Sequence, residues 1–325
     1  MIGRREFIAG LGSAAAWPIM GRAQQPAVPV IGFLSGGSPG YAPYAAAFRQ
    51  GLKEAGFVEG QNVAVEYLSA ENQYDRLTVL AADLIQRKVS VIVASAVDAA
   101  HAAKAATTTI PIIFSISGDP VVEGLVSSLN RPGGNLTGVT NFSGALSAKR
   151  LELLRKLVPS VFDLGALINP GNSNATFRIK DLRDAAQVMG QQIHFFEVSS
   201  ESDLDAAFAA VVRRQTGGLL IVDDPLFSSH AARLVALTAQ HAVPTIHYRR
   251  EFISAGGLLS YGSSLSHVYH QAGIYTGRIL KGEKPADLPI IQPTKFEFVI
   301  NLKTARALGL PIRETLLATA DEVIQ

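Results

Sequence analysis

The chain has 325 residues, 48% of them hydrophobic and 17% charged, with 29 basic against 27 acidic side chains and no cysteine. That length supplies apolar residues for two cores of ordinary size. The near-neutral balance gives no electrostatic footing for nucleic acid or anionic lipid, and the missing cysteines exclude disulfide frameworks and thiolate metal sites.

Residues 1–23 read as an export signal. Arg4 and Arg5 stand directly before an apolar, alanine- and glycine-rich run from Phe7 to Met20, and Gly21-Arg22-Ala23 offers small residues for cleavage after Ala23. The paired arginines favour the twin-arginine route over the general one. The run is too short to span a bilayer comfortably, and no later segment suits a transmembrane helix. Cleavage removes three Arg and one Glu and leaves 26 charges of each sign. With no lipid-bearing cysteine after the signal, the mature chain is expected free in the periplasm.

Beyond the signal the chain is written twice. Val30–Leu34 reads as a buried parallel strand, and Phe48, Leu52 and Ala55 recur at helical spacing until Gly56 stops the helix. Val63–Tyr67 is a second strand. Leu77, Leu80, Ala81, Leu84 and Ile85 form an amphipathic stripe. Strands at Val89–Ala94 and Pro111–Ile116 follow. The order then repeats: a strand ending at Leu167-Ile168, a strand at Ile193–Val198, a helix stripe on Leu204, Phe208, Val211 and Val212, and a strand at Leu219–Val222. Ser35 and Asn169, like Gly56 and Gly190, stand 134 residues apart. Strands alternating with helices predict an α/β fold of two Rossmann-like lobes with parallel sheets and right-handed crossovers.

Asn130–Asn135 is a turn-rich link between the copies, and Thr137–Phe142 is the expected first crossing. Gly256–Tyr261 and a helix over about 265–280 fall outside both repeats. They are expected to carry the chain back to the first lobe, before a last strand at Phe296–Leu302 returns it to the second. The expected boundaries are 27–138 plus about 252–284 for lobe 1, and 139–251 plus about 285–325 for lobe 2. Several crossings would form a hinge.

Catalytic patterns fail on chemistry. Gly36-Gly37-Ser38-Pro39-Gly40 matches a nucleophile elbow, but Pro39 has no N–H for the oxyanion hole. No dinucleotide or Walker pattern occurs. His267 and His270 share helical spacing without a third ligand in sight, and His194, His241 and His247 are scattered singly. Neither turnover, nor a metal, nor a cofactor is expected. Asp224-Pro225 suits a helix cap followed by a first-turn proline, and Asp119-Pro120 admits the same reading; Asp223 is less easily explained that way.

In open α/β sheets, ligands sit beyond the carboxyl ends of the strands. The expected ligand-binding residues are therefore Ser35, Gly36, Gly37, Ser95, Ala96, Ser117, Asp119 and Asn141 from the first copy and its link. From the second copy and the segment after it they are Asn169, Asp223, Phe227, Tyr248 and Tyr261. Hydroxyls and helix N-termini suit a carboxylate, Asp223 an ammonium, and the aromatic rings an apolar part or simply a core.

Gly32-Phe33-Leu34-Ser35, Phe48-Arg49-Gln50-Gly51-Leu52, Asn130–Asn135, Gly257–Gly262, Gly277–Gly282 and Pro293–Phe296 together carry a resemblance that runs along essentially the whole chain. It resembles the substrate-binding proteins of ABC importers, in the group related to tryptophan-binding lipoproteins. The resemblance implies a type I periplasmic-binding fold and a monomer that captures a small molecule between its lobes. It further implies delivery to an inner-membrane permease and its ATPase. Two neutral lobes, helix N-termini and a spare carboxylate at Asp223 suit a small zwitterion, so an amino acid or related small carboxylate is the expected ligand. Two departures stand out: the missing lipoprotein cysteine, and Ser95-Ala96-Val97-Asp98, which puts an acid where many relatives have a Gly-, Thr- and Pro-containing loop. A sensor's binding subunit and an exported two-lobe enzyme are the alternatives.

Replacing Arg4 and Arg5 by Lys is expected to trap uncleaved precursor in the cytoplasm, read by its size in fractionated cells. Normal export of that variant would leave only the general route.

Overall fold

The computed structural model describes residues 28–37, 42–142, 146–292 and 296–325. The expected export signal, Ser38-Pro39-Gly40 and Pro293-Thr294-Lys295 lie outside the described residues.

The first sheet is built from β1 (Val30–Ser35), β2 (Ala64–Ser69), β3 (Val91–Ser95), β4 (Ile112–Ile116) and β5 (Leu136–Thr140), all parallel, in the order β2-β1-β3-β4-β5. Helices α1 (Ala42–Glu54), α2 (Arg76–Gln86) and α3 (Val97–Ala106) connect them. The apolar runs read from the sequence are those strands; β3 and β4 are buried throughout, as strands covered on both faces must be.

The second sheet starts after α4 (Ser147–Leu157). Its strands are β6 (Asp163–Ile168), β7 (Gln192–Glu197), β8 (Leu219–Ile221), β9 (Thr245–His247) and β10 (Leu259–Ser263), extended by β11 (Phe296–Asn301) and β12 (Glu322–Ile324). The intervening helices are α5 (Ala175–Val188), α6 (Leu204–Arg213), α7 (Pro225–Ser229), α8 (Ala231–Gln240) and α9 (Arg250–Ser254). The order β7-β6-β8-β9-β10 repeats that of the first sheet, so the duplication seen in the sequence is a duplication of topology. Gly56 and Gly190, equivalent in the two copies, both end helices with positive φ, at +91° and +63°.

One expectation is corrected. Gly256–Tyr261 does not lead back to the first lobe; it forms β10, the fifth strand of the second copy and the counterpart of β5, pairing with β9 and, antiparallel, with β11. The crossing falls after Ser263, and the returning segment reaches Ile291, whose N–H donates to Gly138 O at 3.0 Å. The first-lobe insert therefore spans about 264–291 rather than 252–284. A short apolar strand fits either sheet by pattern alone, and its partners decide which one it joins.

Each copy thus ends on a fifth strand and sends the helix that follows it to the other lobe. After β5, α4 packs against α5, β8 and β9; after β10, α10 (Leu265–Leu280) packs on α1 and beneath β3, β4 and β5. The α1–α10 contact is made through glycine. A Cβ on Gly51 would lie 1.9 Å from His270 O, and one on Gly273 would lie 2.2 Å from Phe48 O. The helices touch backbone to backbone, and Phe48, Leu52, Val268, Ala272 and Tyr275 close the core around them.

Gly273→Ala should force the two helices apart and destabilise the protein by about 1–3 kcal/mol, typical of overpacking. A lowered urea midpoint at unchanged slope would show it; an unchanged midpoint would mean that the crossing yields.

Candidate functional site

The lobes face each other across a cleft of about 510 Å³, including space open to solvent, at the carboxyl ends of both sheets. The first-lobe wall comes from the ends of β3 and β4 (Ser95, Ala96, Val97, Ser115, Ile116, Ser117), from Asn141 after β5, and from Leu265 and Tyr269 of α10. The second-lobe wall is Asn172, Asn174, Arg178, Asp223, Pro225 and Arg249. The charged groups on this wall all belong to the second lobe.

Five expected residues line the cleft: Ser95, Ala96, Ser117, Asn141 and Asp223. Ser95 Oγ shares a hydrogen bond with Tyr269 OH. Ala96 holds φ +87° and ψ 161°, a glycine-favoured region, where β3 turns into α3. The other expected residues are not part of this lining. Ser35 Oγ accepts from Gly37 N at 3.2 Å, Gly37 O accepts from Ser69 Oγ, and Gly36 O accepts from Asn72 N at 2.9 Å. Asp119 accepts from Val121 N at 2.8 Å, closing a turn. Phe227 is fully buried in the second-lobe core. Tyr248 is buried, its OH donating to Asp224 O at 2.9 Å. Tyr261 packs near Phe296 and Phe298.

Asn169 supports Asp224, the N-cap of α7 with Pro225 at its first turn, as its sequence suggested. The buried Asp224 carboxylate accepts from Asn169 Nδ2 (3.2 Å), Asn172 Nδ2 (2.8 Å), Leu226 N (2.8 Å) and, from the first lobe, Tyr74 OH (2.9 Å). Burial pushes its pKa up to about 6 while the four donors pull it down. His247 is buried, stacks on Phe252 at 4.4 Å, and is pushed down to about 3 by desolvation, so it stays neutral and structural.

Three arginines were not anticipated. Arg178, 5% exposed, has burial lowering its pKa, opposed chiefly by the charge of Asp223. Its guanidinium faces the cleft, and Nη2 donates to Ser117 Oγ across it at 3.3 Å. Arg249 Nη2 donates to Asp223 Oδ1 at 3.2 Å, and its guanidinium lies 4.9 Å over the Tyr248 ring. Behind them, the fully buried Arg150 donates Nε to Tyr261 O at 2.7 Å; desolvation brings it down to about 10, which leaves it charged at neutral pH. The signal was there in the sequence. Arg178 sits in the buried stripe Ala175, Arg178, Leu182, Ala186, and Arg150 in the stripe Arg150, Leu151, Leu154, Leu157. A charge on the apolar face of a helix implies a buried polar task.

Asp98, the acid that set this chain apart, reaches across the mouth of the cleft. Its Oδ1 lies 3.4 Å from Ser173 N, beside the start of α5. Together with Tyr74–Asp224, this contact holds the lobes together.

A family model described as ABC transporter substrate binding protein matches residues 27–324. A tyrosine-binding protein of Clostridioides difficile (strain R20291) is 27% identical over 81% of this chain and 75% of its own length. An ABC domain from Streptococcus pneumonia in complex with L-Trp superposes with a TM-score of 0.81 at 26% identity, covering 91% of this chain and 99% of that one. A conserved domain protein of Vibrio cholerae does so with a TM-score of 0.83 at 25% identity, over 91% and 99%. The two parallel-sheet lobes are the type I periplasmic-binding architecture expected from the sequence.

A hydrogen bond to a charged group contributes roughly 1.5–3 kcal/mol. Tyr74→Phe, which removes the first-lobe donor to Asp224, should shift the ligand-free protein toward an open form. Small-angle X-ray scattering should then give a larger radius of gyration than wild type; identical curves would mean that Tyr74 does not hold the lobes.

Proposed function

Because this chain belongs to the ABC transporter substrate-binding proteins, which bind ligands rather than catalyse reactions, we propose that it is the periplasmic binding subunit of an ABC importer. It captures an amino acid or a related small carboxylate between its lobes and delivers it to a permease driven by an ATPase. The observation that carries this reading is the pair of charged groups left for a ligand on the second-lobe wall. Among the described residues, the buried Arg178 guanidinium has only a long hydrogen bond to a serine hydroxyl, and buried Asp223 Oδ2 accepts no hydrogen bond. Asp223 is ion-paired to Arg249 through Oδ1, whereas Arg178 forms no ion pair among the described residues, and a buried charge is better placed with a counter-charge. A carboxylate meets Arg178 and an ammonium meets Asp223 Oδ2. The tyrosine-binding relative and the L-Trp complex support an amino acid. The sequence's export signal supports delivery outside the cytoplasm.

The lobes add to affinity because the ligand touches both of them only when they are closed, so it binds that state more tightly. Arg178 and Asp223 belong to the second lobe, Ser115, Ser117 and Asn141 to the first. A ligand can dock on the charged wall first and be completed by neutral hydroxyls on closure.

A thermal-shift screen of amino acids, their deaminated acids and their decarboxylated amines tests the ligand class. A true ligand at a hundred times its Kd stabilises by roughly 2.7 kcal/mol. Arg178→Gln should abolish the response to acids and amino acids alike, while Asp223→Asn should weaken amino acids far more than simple acids. Circular dichroism verifies that both variants fold. A response confined to sugars or polyamines would overturn the carboxylate assignment. Cross-linking to membranes should capture a permease with its ATPase; capture of a signalling receptor instead would make the chain a sensor subunit.

A further inference from the structure

Resting on that amino-acid reading, we infer that Arg249 is the positioning residue through which the closed cleft tells an amino acid from the same acid without its amino group. It acts through Asp223. Arg249 Nη2 donates to Asp223 Oδ1 at 3.2 Å, in an ion pair whose side chains are 12% and 5% exposed. With Oδ1 anchored, Oδ2 has a fixed place, and among the described residues it accepts no hydrogen bond. An ammonium arriving there needs no rearrangement of its partner, and such preorganisation adds to affinity.

Arg249 is itself pinned. Nη1 donates to Ser228 Oγ at 3.0 Å, Ser228 Oγ shares a hydrogen bond of 2.6 Å with Tyr248 OH, and the guanidinium lies 4.9 Å over the Tyr248 ring. Those contacts stay within the second lobe. Another crosses to the first: the guanidinium lies 5.9 Å from the ring centroid of Tyr44, in α1. Tyr44 is buried and stacks at 5.3 Å on Tyr269, whose hydroxyl is bound to Ser95. The path Asp223–Arg249–Tyr44–Tyr269–Ser95 therefore runs from one cleft wall to the other. A guanidinium over an aromatic face shifts an equilibrium by a factor of roughly 2 to 30. Because Tyr44 belongs to the other lobe, Arg249 keeps that contact only while the lobes are together. Asp223 is held most firmly in the closed state, so a ligand that uses Oδ2 gains most there.

Lysine keeps the charge of Arg249 but loses its planar stack and forked donors, so Arg249→Lys separates positioning from electrostatics. Isothermal titration of the purified protein with the proteinogenic amino acids, and with the deaminated acid of each that binds, gives the amino-group preference as a ratio of affinities. Arg249→Lys should lower that ratio roughly 10-fold or more, the loss of one hydrogen bond to a charged group, while the deaminated acid, held by Arg178, stays within about 3-fold of wild type. Tyr44→Leu should lower the same ratio roughly 3-fold and Tyr44→Phe, which keeps the aromatic face, should not. Added to Arg249→Lys, Tyr44→Leu should lower it no further, because both act on one contact. Urea unfolding verifies that the variants fold, and Arg249→Lys decides alone should Tyr44→Leu not fold. An unchanged ratio in Arg249→Lys, a Tyr44→Leu effect that persists in full beside it, or a wild-type protein that binds the deaminated acid as tightly as the amino acid would each overturn the role of Arg249. All three leave binding of an amino acid standing. If no amino acid binds, the inference and the reading beneath it fall together.

Discussion

The geometry of the cleft depends on an exchange of helices between two copies of one βα unit. Each copy ends with a fifth strand, and the helix after it docks on the opposite lobe. For α10 this docking requires backbone contact with α1, which Gly51 and Gly273 allow because neither carries a Cβ. The exchange brings Leu265 and Tyr269 to the first-lobe wall and puts Arg150 behind the second. The lobes are joined by the same segments that build the site, so hinge motion and site geometry are linked physically.

Charge is divided unevenly between the walls. The second lobe holds Arg178, Arg249 and Asp223, supported from behind by Arg150 and Asp224, while the first offers serine hydroxyls, an amide and the apolar side chains of Val97, Ile116 and Leu265. Asp224 is the organising acid: it caps α7, holds two asparagines of the β6–α5 loop and accepts Tyr74 from the other lobe. One carboxylate therefore fixes both the local loop and the closed arrangement. A fully satisfied buried network of this kind confers rigidity, whereas a partly satisfied one is costly. Asp98 acts at the mouth of the cleft, next to a helix start on the facing lobe, where a negative charge is favourable.

The segments that carried the family resemblance acquire physical roles. Phe48–Leu52 and Gly277–Gly282 belong to opposite sides of the α1–α10 contact, where Gly277 lies against Ala55. Asn130–Asn135 is a turn in which the Asn135 side chain donates to Thr107 O and Ile110 O, tying β5 to the end of α3. Gly262 lets β10 pass close to the Tyr248 carbonyl. These positions maintain the two-lobe frame. The residues that distinguish one ligand from another lie elsewhere on the chain.

Strand and helix order, the duplication, the α/β class and the cap at Asp224-Pro225 were legible in the sequence, because hydrophobic period and cap chemistry act over a few residues. Strand-end logic found Ser95, Ala96, Ser117, Asn141 and Asp223 for the same reason: a strand's carboxyl end is a local property. It also drew in Ser35, Asn169, Phe227 and Tyr248, whose side chains turn into cores and loops, since position along a strand does not say which way a side chain faces. The tertiary structure alone decided that β10 joins the second sheet, that α4 and α10 exchange lobes, and that Arg178 and Arg249 meet Asp223 in one cleft. Those outcomes depend on contacts between residues far apart in the chain, where short apolar segments look alike until their partners are in place.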